Sequence, residues 1–268
     1  MADEQRGLDT LIERFTFADA AARTGATGLF NQDIGKIAYQ TDTGIYYRLT
    51  SLSPLTWAVV APAATKITIL TSGTTWSPTA GCRAFWAECV GGGGGGAAAN
   101  GGPSAASCCS GGGGGGYAAK YYSGVLAASY TCAIGAGGAT DTAGGDTKFD
   151  GTTNVYAVGG TQGSFMSNGT AITVLAGGAG GGATFGTLRI QGSDGGPGVR
   201  FSGTAGYGGQ GGASGRGFGS ANGVTVVAGV GAAGYLYGGG GGGALAFSSG
   251  VQNGGTGANG VIRIMEFF

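Results

Sequence analysis

The sequence predicts a mostly β protein with extensive polyglycine-II-like and irregular structure. Short N-terminal helices and a small antiparallel β neck precede a glycine-rich C-terminal domain. Three observations predict this. Glycine supplies 66 of 268 residues, yet only six glycines lie before Gly81. The later glycines come in tracts, above all the six-residue runs at 91–96 and 111–116. Between the tracts, apolar and aromatic residues recur as far as Phe268, whereas a flexible linker has no such payload. The composition shifts near residues 73–82. The expected organisation is a helical attachment segment over 1–30, the neck over 31–62 and the glycine-rich domain over 63–268.

The first element is helical. Leu8, Leu11, Ile12 and Phe15 recur at i, i+3, i+4 and i+7, which places them on one apolar face. A second short helix follows in "FADAAAR", with Thr16 as its cap, Asp19 at the capping-box position, and Gly25 and Gly28 as stops. Helices this short are marginal alone. Leu8, Leu11, Ile12, Phe15 and Phe17 are therefore expected to attach the chain to sister copies or to another protein.

The neck comes next. Residues 36–40 and 45–49 read as strands joined by the turn Thr41-Asp42-Thr43-Gly44, and 56–60 as a third strand. About 30 residues make a thin sheet, which favours an assembly. Beyond it, "KITIL" and "CRAFWAECV" alternate as strands. Arg83, Phe85, Ala87 and Cys89 fall on one side, and Ala84, Trp86, Glu88 and Val90 on the other. Cys82 and Cys89, an odd number apart, would point to opposite faces of one strand. "GVIRIMEFF" is the closing strand.

The glycine tracts need a different account. Glycine is not every third residue, and prolines number five, so collagen is excluded. Polyglycine can adopt the extended left-handed helix with three residues per turn, which has no internal hydrogen bonds. Six residues then span about 19 Å at about 3.1 Å per residue. Every N–H and C=O in a buried array must bond sideways. The tracts are accordingly expected to be stacked rods joined by loops at their ends.

Charge and motif content exclude many functions. Thirteen basic residues balance thirteen acidic ones, so nothing marks a nucleic-acid or anionic-membrane partner. No apolar run reaches the roughly 20 residues of a membrane helix, and "MADEQRG" does not read as a signal peptide. The sequence contains no histidine, which removes Ser–His–Asp, Cys–His and HExxH sites. GxxxxGK[ST] is absent. Asp141, Asp146 and Asp150 fit no EF-hand spacing and read as solvated loop carboxylates. Glu88 and Glu266 lie in predicted strands, so no loop-borne acid pair for glycosidase chemistry emerges. The five cysteines are odd in number and read as reduced thiols. No enzyme, metal or cofactor is expected.

Residues 16–60, "TFADAAAR…DIGKIAYQTDTGIYYRL…TW", resemble the attachment segments of tailed-bacteriophage fibre and virion structural proteins. The second part resembles the glycine-rich domain at the C-terminus of phage tail proteins. It does so through Trp76 and Pro78, the glycine run at 91–96, "GGGGGGYA", "IGAGG" and the terminal "GANGVIRIMEF". In composition it is also similar to polyglycine adhesins at the tips of long tail fibres. The resemblance implies a virion location and a homotrimer held to other virion proteins through the N-terminal segment. It also implies a tail fibre or adhesin that recognises a host surface protein or glycan. The alternative is a head fibre, decoration or collar protein with no specific receptor. Loop aromatics and polar groups on a rigid scaffold are suited to binding. On that ground Tyr121, Tyr122, Phe149, Tyr156, Asp194, Arg200 and Phe218 are the expected receptor contacts.

Overall fold

The computed structural model of the protein describes residues 16–42, 45–59, 65–217, 223, 227–247 and 250–268. Leu8, Leu11, Ile12, Phe15, the Thr43–Gly44 half of the neck turn and Phe218 lie outside the described residues. The chain divides into two compact units, residues 1–66 with 267–268, and residues 67–266.

In the first unit, β1 (Thr16–Phe17), β2 (Ile37–Gln40), β3 (Ile45–Leu52) and β4 (Leu55–Val59) form one sheet in that order. β2, β3 and β4 pair antiparallel, and β1 adds to β2 in parallel. Helix α1 (Ala20–Thr24) is capped by Asp19, whose carboxylate accepts the Ala22 N–H, and Gly25 closes it. Thr16 is therefore a strand residue and not the cap, because Asp19 sits one position before the first helical turn. Arg23 ties α1 to the sheet. Its Nε donates to Gln40 Oε1 at 2.8 Å, and its guanidinium lies 3.6 Å over the Tyr47 ring.

The second unit contains β5 (Thr65–Leu70) from Ile67 onward, β6 (Thr75–Trp76), β7 (Ala84–Val90), β8 (Ala99–Gly101), β9 (Ser107–Cys108), β10 (Tyr117–Ser123) and β11 (Tyr130–Ala133). It continues with β12 (Thr147–Phe149), β13 (Val155–Ala157), β14 (Thr173–Leu175), β15 (Ala183–Phe185), β16 (Leu188–Ile190) and β17 (Gly198–Ser202). The last strands are β18 (Ala205–Tyr207), β19 (Leu245–Ala246), β20 (Gly250–Gln252) and β21 (Val261–Phe267). Between them run the glycine rods, and a three-residue hydrogen-bond period shows what those rods are. Gly91, Gly94 and Ala97 donate to Gly116, Gly113 and Ser110. Gly92 and Gly95 donate to Gly145 and Thr142, and Gly93 and Gly96 to Ala258 and Gly255. Successive N–H groups thus leave the rod in three directions and return to the first every third residue. That is the polyglycine II helix with its backbone bonded sideways.

The rod at 91–97 also accepts from three neighbours. Gly138 and Asp141 donate to Gly93 and Gly96, Gly160 and Gly163 to Gly92 and Gly95, and Gly241 and Ala244 to Gly94 and Ala97. Six rods therefore surround it. The same holds for 110–116, whose other neighbours are 158–161, 178–181, 193–196, 212–215 and 238–241. Close packing explains the composition. A Cβ on Gly93, Gly94, Gly95 or Gly96 would fall under 3.0 Å from the carbonyl of Gly239, Thr161, Ala139 or Gly242. Any larger residue would push the rods apart.

The lattice lies between two β layers. At one end, here the base, the chain comes in through β7 and leaves through β21. The sheets β16-β10-β7-β21-β5 and β15-β13-β12-β11-β6 are at this end. Between them is an aromatic core of Trp76, Phe85, Tyr130 and Phe149, with Ile262 and Ile264. β7 has the expected alternation, and both of its faces are covered. Phe85, Ala87 and Cys89 face this core, while Val90 joins Tyr117, Ala119 and Val261. β7 begins only at Ala84, so strand parity does not govern Cys82, which packs on the same cluster as Cys89. At the far end, sheets β14-β17-β18, β19-β9 and β20-β8 enclose a second core around Cys108, Cys109, Met166 and Leu245. Among the described residues no helix is long and apolar enough to cross a membrane.

Candidate recognition surface

The lattice sorts its side chains by position. Rods at its periphery expose every third residue, while most of the residues between are buried or half-buried. The exposed sets are Ala133, Ala136, Ala139 and Thr142; Gln191, Asp194 and Pro197; Asn253, Thr256 and Asn259; and Val230, Ala233 and Leu236. A non-glycine every third residue is the inverse of the collagen rule. It was present in stretches such as "NGGTGAN" and "QGSDGGP" as the mark of a peripheral rod. Asp194 stands on such a face, and its carboxylate accepts the Gly180 N–H at 2.8 Å.

Of the contacts expected from sequence, Tyr121, Tyr122, Phe149 and Tyr156 all fall at the base. Phe149 is fully buried, stacked on Tyr130 at 5.3 Å, so it is a core residue and not a receptor contact. Tyr122 stacks on Phe85 at 4.6 Å, and burial pushes its phenol well above the usual range. Tyr121 is 50% exposed. Tyr156 donates to Asp146 at 2.6 Å, and the Lys148 ammonium lies 4.5 Å over its ring. The hydrogen bond to Asp146 raises the Tyr156 pKa.

Arg200 is a correction as well. It lies buried in the far end, where it donates to Ala171 O, Ala106 O, Ser167 O and Thr173 Oγ1 at 2.6–2.9 Å. It clamps loop backbone instead of facing a partner, because a planar five-donor head can satisfy several carbonyls together. Glu88 is similarly engaged. It accepts from Tyr117, Trp86 and Arg263, and pairs with Arg216 beside a cavity of about 220 Å³. Burial pushes the Tyr117 phenol up to about 12, with Glu88 adding to the effect. Glu266 is spent on the Thr79 N–H and hydroxyl. Among the described residues no three His, Cys, Asp or Glu side chains cluster as a metal site. All five cysteines are free thiols.

The residue pattern matches a known domain family. A family model described as a glycine-rich domain matches residues 68–265. The chain belongs to this glycine-rich domain family. It has no significant match among curated proteins.

Both ends of the glycine-rich domain expose apolar side chains, but they differ in charge. The base carries Glu88, Lys120, Asp146, Lys148, Asp150, Arg189, Arg216 and Arg263. Among the described far-end residues 98–109, 139–142, 164–176, 197–207, 227–230, 245–247 and 250–252, the charged side chains are the buried Arg200 and the exposed Asp141. What these loops expose is Ile172 (77%), Val174 (65%) and Phe201 (52%), set among Asn100, Ser167, Asn168, Thr170 and Thr204. Sequence reasoning passed over Ile172 and Val174 because it weighed aromatics beside glycine tracts, and it did not select Phe201 because which loops share one end is not a local property of the sequence.

Proposed function

We propose that this chain is a virion structural protein of a tailed bacteriophage. In this reading it is a tail fibre or adhesin that recognises a host cell-surface protein or glycan. The observation that supports this most is the charge-poor, apolar far end held on a cross-bonded glycine lattice. A rigid scaffold removes much of the ordering cost that mobile loops would incur on binding. The resemblance of residues 16–60 to phage attachment segments supports the virion setting. In the same reading the N-terminal segment, with Leu8, Leu11, Ile12, Phe15 and Phe17, joins copies into a homotrimer and holds them to another virion protein. The protein works by binding and not by catalysis.

Immunogold labelling of this protein on intact phage particles tests the reading. Label at the tail tip or fibre ends is expected. Label on the head or collar would instead assign a head-fibre or decoration role. Binding of the purified chain to host cells is expected to fall with Phe201→Asp and to persist with Tyr156→Phe. It is also expected to change little between low and high salt, because the exposed charge at this end is a single carboxylate, Asp141.

A further inference from the structure

At the rim of the far end an open cleft of about 630 Å³ is lined by Asp141, Thr161, Gln162, Gly163, Ser164 and Phe165. Its size is that of a small-molecule site. Its walls hang from consecutive residues of one buried rod. Asp141 N donates to Gly96 O and Gly163 N to Gly95 O, at 3.2 and 2.8 Å. Asp141 takes a left-handed backbone conformation, φ 59°, and turns one carboxylate oxygen back to accept the Ala98 N–H at 3.0 Å. The second oxygen makes no hydrogen bond among the described residues, and neither does the exposed Gln162 amide. The Phe165 ring beside them is 54% exposed.

We infer that this cleft binds a neutral saccharide unit. A pyranose presents an apolar C–H face and a rim of hydroxyl groups. The Phe165 ring complements the face. The free carboxylate oxygen accepts from hydroxyls, and the Gln162 amide both donates and accepts. The lining holds one carboxylate and no cation, which disfavours an anionic sugar. The inference deepens the recognition reading and rests on it for its setting, a unit of a cell-surface glycan.

Saturation-transfer NMR on the full chain tests it, with glucose, galactose, mannose, N-acetylglucosamine and sialic acid as probes. Saturation of ring protons is expected for at least one neutral sugar and not for sialic acid. Titration is expected to show binding about tenfold weaker, roughly one decade in Kd, in Phe165→Ala and Gln162→Ala. Arg189→Gln, at the base, is expected to bind as the parent does. Transfer to none of the neutral sugars, or undiminished binding in both cleft variants, overturns the assignment. Host-cell binding by a chain that binds no sugar overturns the cleft alone. Sugar binding by a chain that binds no cells leaves the cleft assigned and overturns the adhesin reading.

Discussion

Gly113 and Gly182 are both glycines of lattice rods, but an added methyl group would meet different surroundings. At Gly113 a Cβ would fall under 3.0 Å from the Ala179 carbonyl, inside the rod contact. At Gly182 nothing lies within 4 Å. Gly182 also continues the outward register of Ala176 and Ala179, six and three residues earlier. Gly113→Ala is therefore expected to cost about 3 kcal/mol or more, at the upper end of overpacking. That is a fall in Tm of roughly 6–12 °C for a domain of this size. Gly182→Ala is expected to be neutral or to stabilise by about 0.4–1 kcal/mol, through a less flexible unfolded chain. Thermal melts of the two variants check this. An unchanged Tm for Gly113→Ala would remove the lattice account of the composition.

At the scale of elements, rods and loops depend on different interactions. A rod is held by its neighbours' carbonyls, whereas the far-end loops are held by Arg200. The guanidinium joins Ala106, Ser167, Ala171 and Thr173, which belong to two separate loops. Replacing it leaves buried carbonyls without donors, each costing about 1–3 kcal/mol. Arg200→Met is expected to lower stability to denaturant and to open residues 164–176 to protease, while the base sandwich keeps its structure. Limited proteolysis with mapping of the first cut checks this. A first cut in 117–134 would show that the loops are not Arg200-dependent. In the base, Phe149→Ala removes the ring packed among Trp76, Phe85 and Tyr130. It is expected to cost about 3–5 kcal/mol by equilibrium unfolding.

For the molecule as a whole, the buried thiols and phenols set an alkaline limit. Burial pushes Cys108 and Cys132 from 9.0 to about 11, and Tyr117 from 10.0 to about 12. The folded state thus binds these protons more tightly than the unfolded state does. The stability this contributes is complete below pH 9 and is lost as pH rises through 11 and 12. Tm is expected to hold flat from pH 7 to 9 and to fall steadily from 9 to 11. A flat profile to pH 11 would contradict the burial of these groups. The lattice also sets the folding rate. Gly93 bonds to Ala258 and Gly112 to Gly241, so loop closure must come before most of the bonding. Refolding followed by tyrosine fluorescence is expected to be slow, in the seconds range of non-local β folds.

The neck strands, the alternation of β7 and the closing strand were legible because each is a local pattern of residues in one segment. The rods at 91–96 and 111–116 were legible for a related reason, since a six-glycine run has no side chain to pack and gains only from close backbone contact. Local sequence thus determined, by itself, that glycine tracts alternate with strands and that no histidine-based chemistry is present. Only the tertiary structure decided which glycines face a carbonyl and which face water, that Phe149 and Arg200 turn inward, and that Ile172, Val174 and Phe201 share one end. The physical reason lies in the polyglycine helix. It makes no hydrogen bond within itself, so every partner that fixes its register, its neighbours and its exposed side comes from a distant part of the chain.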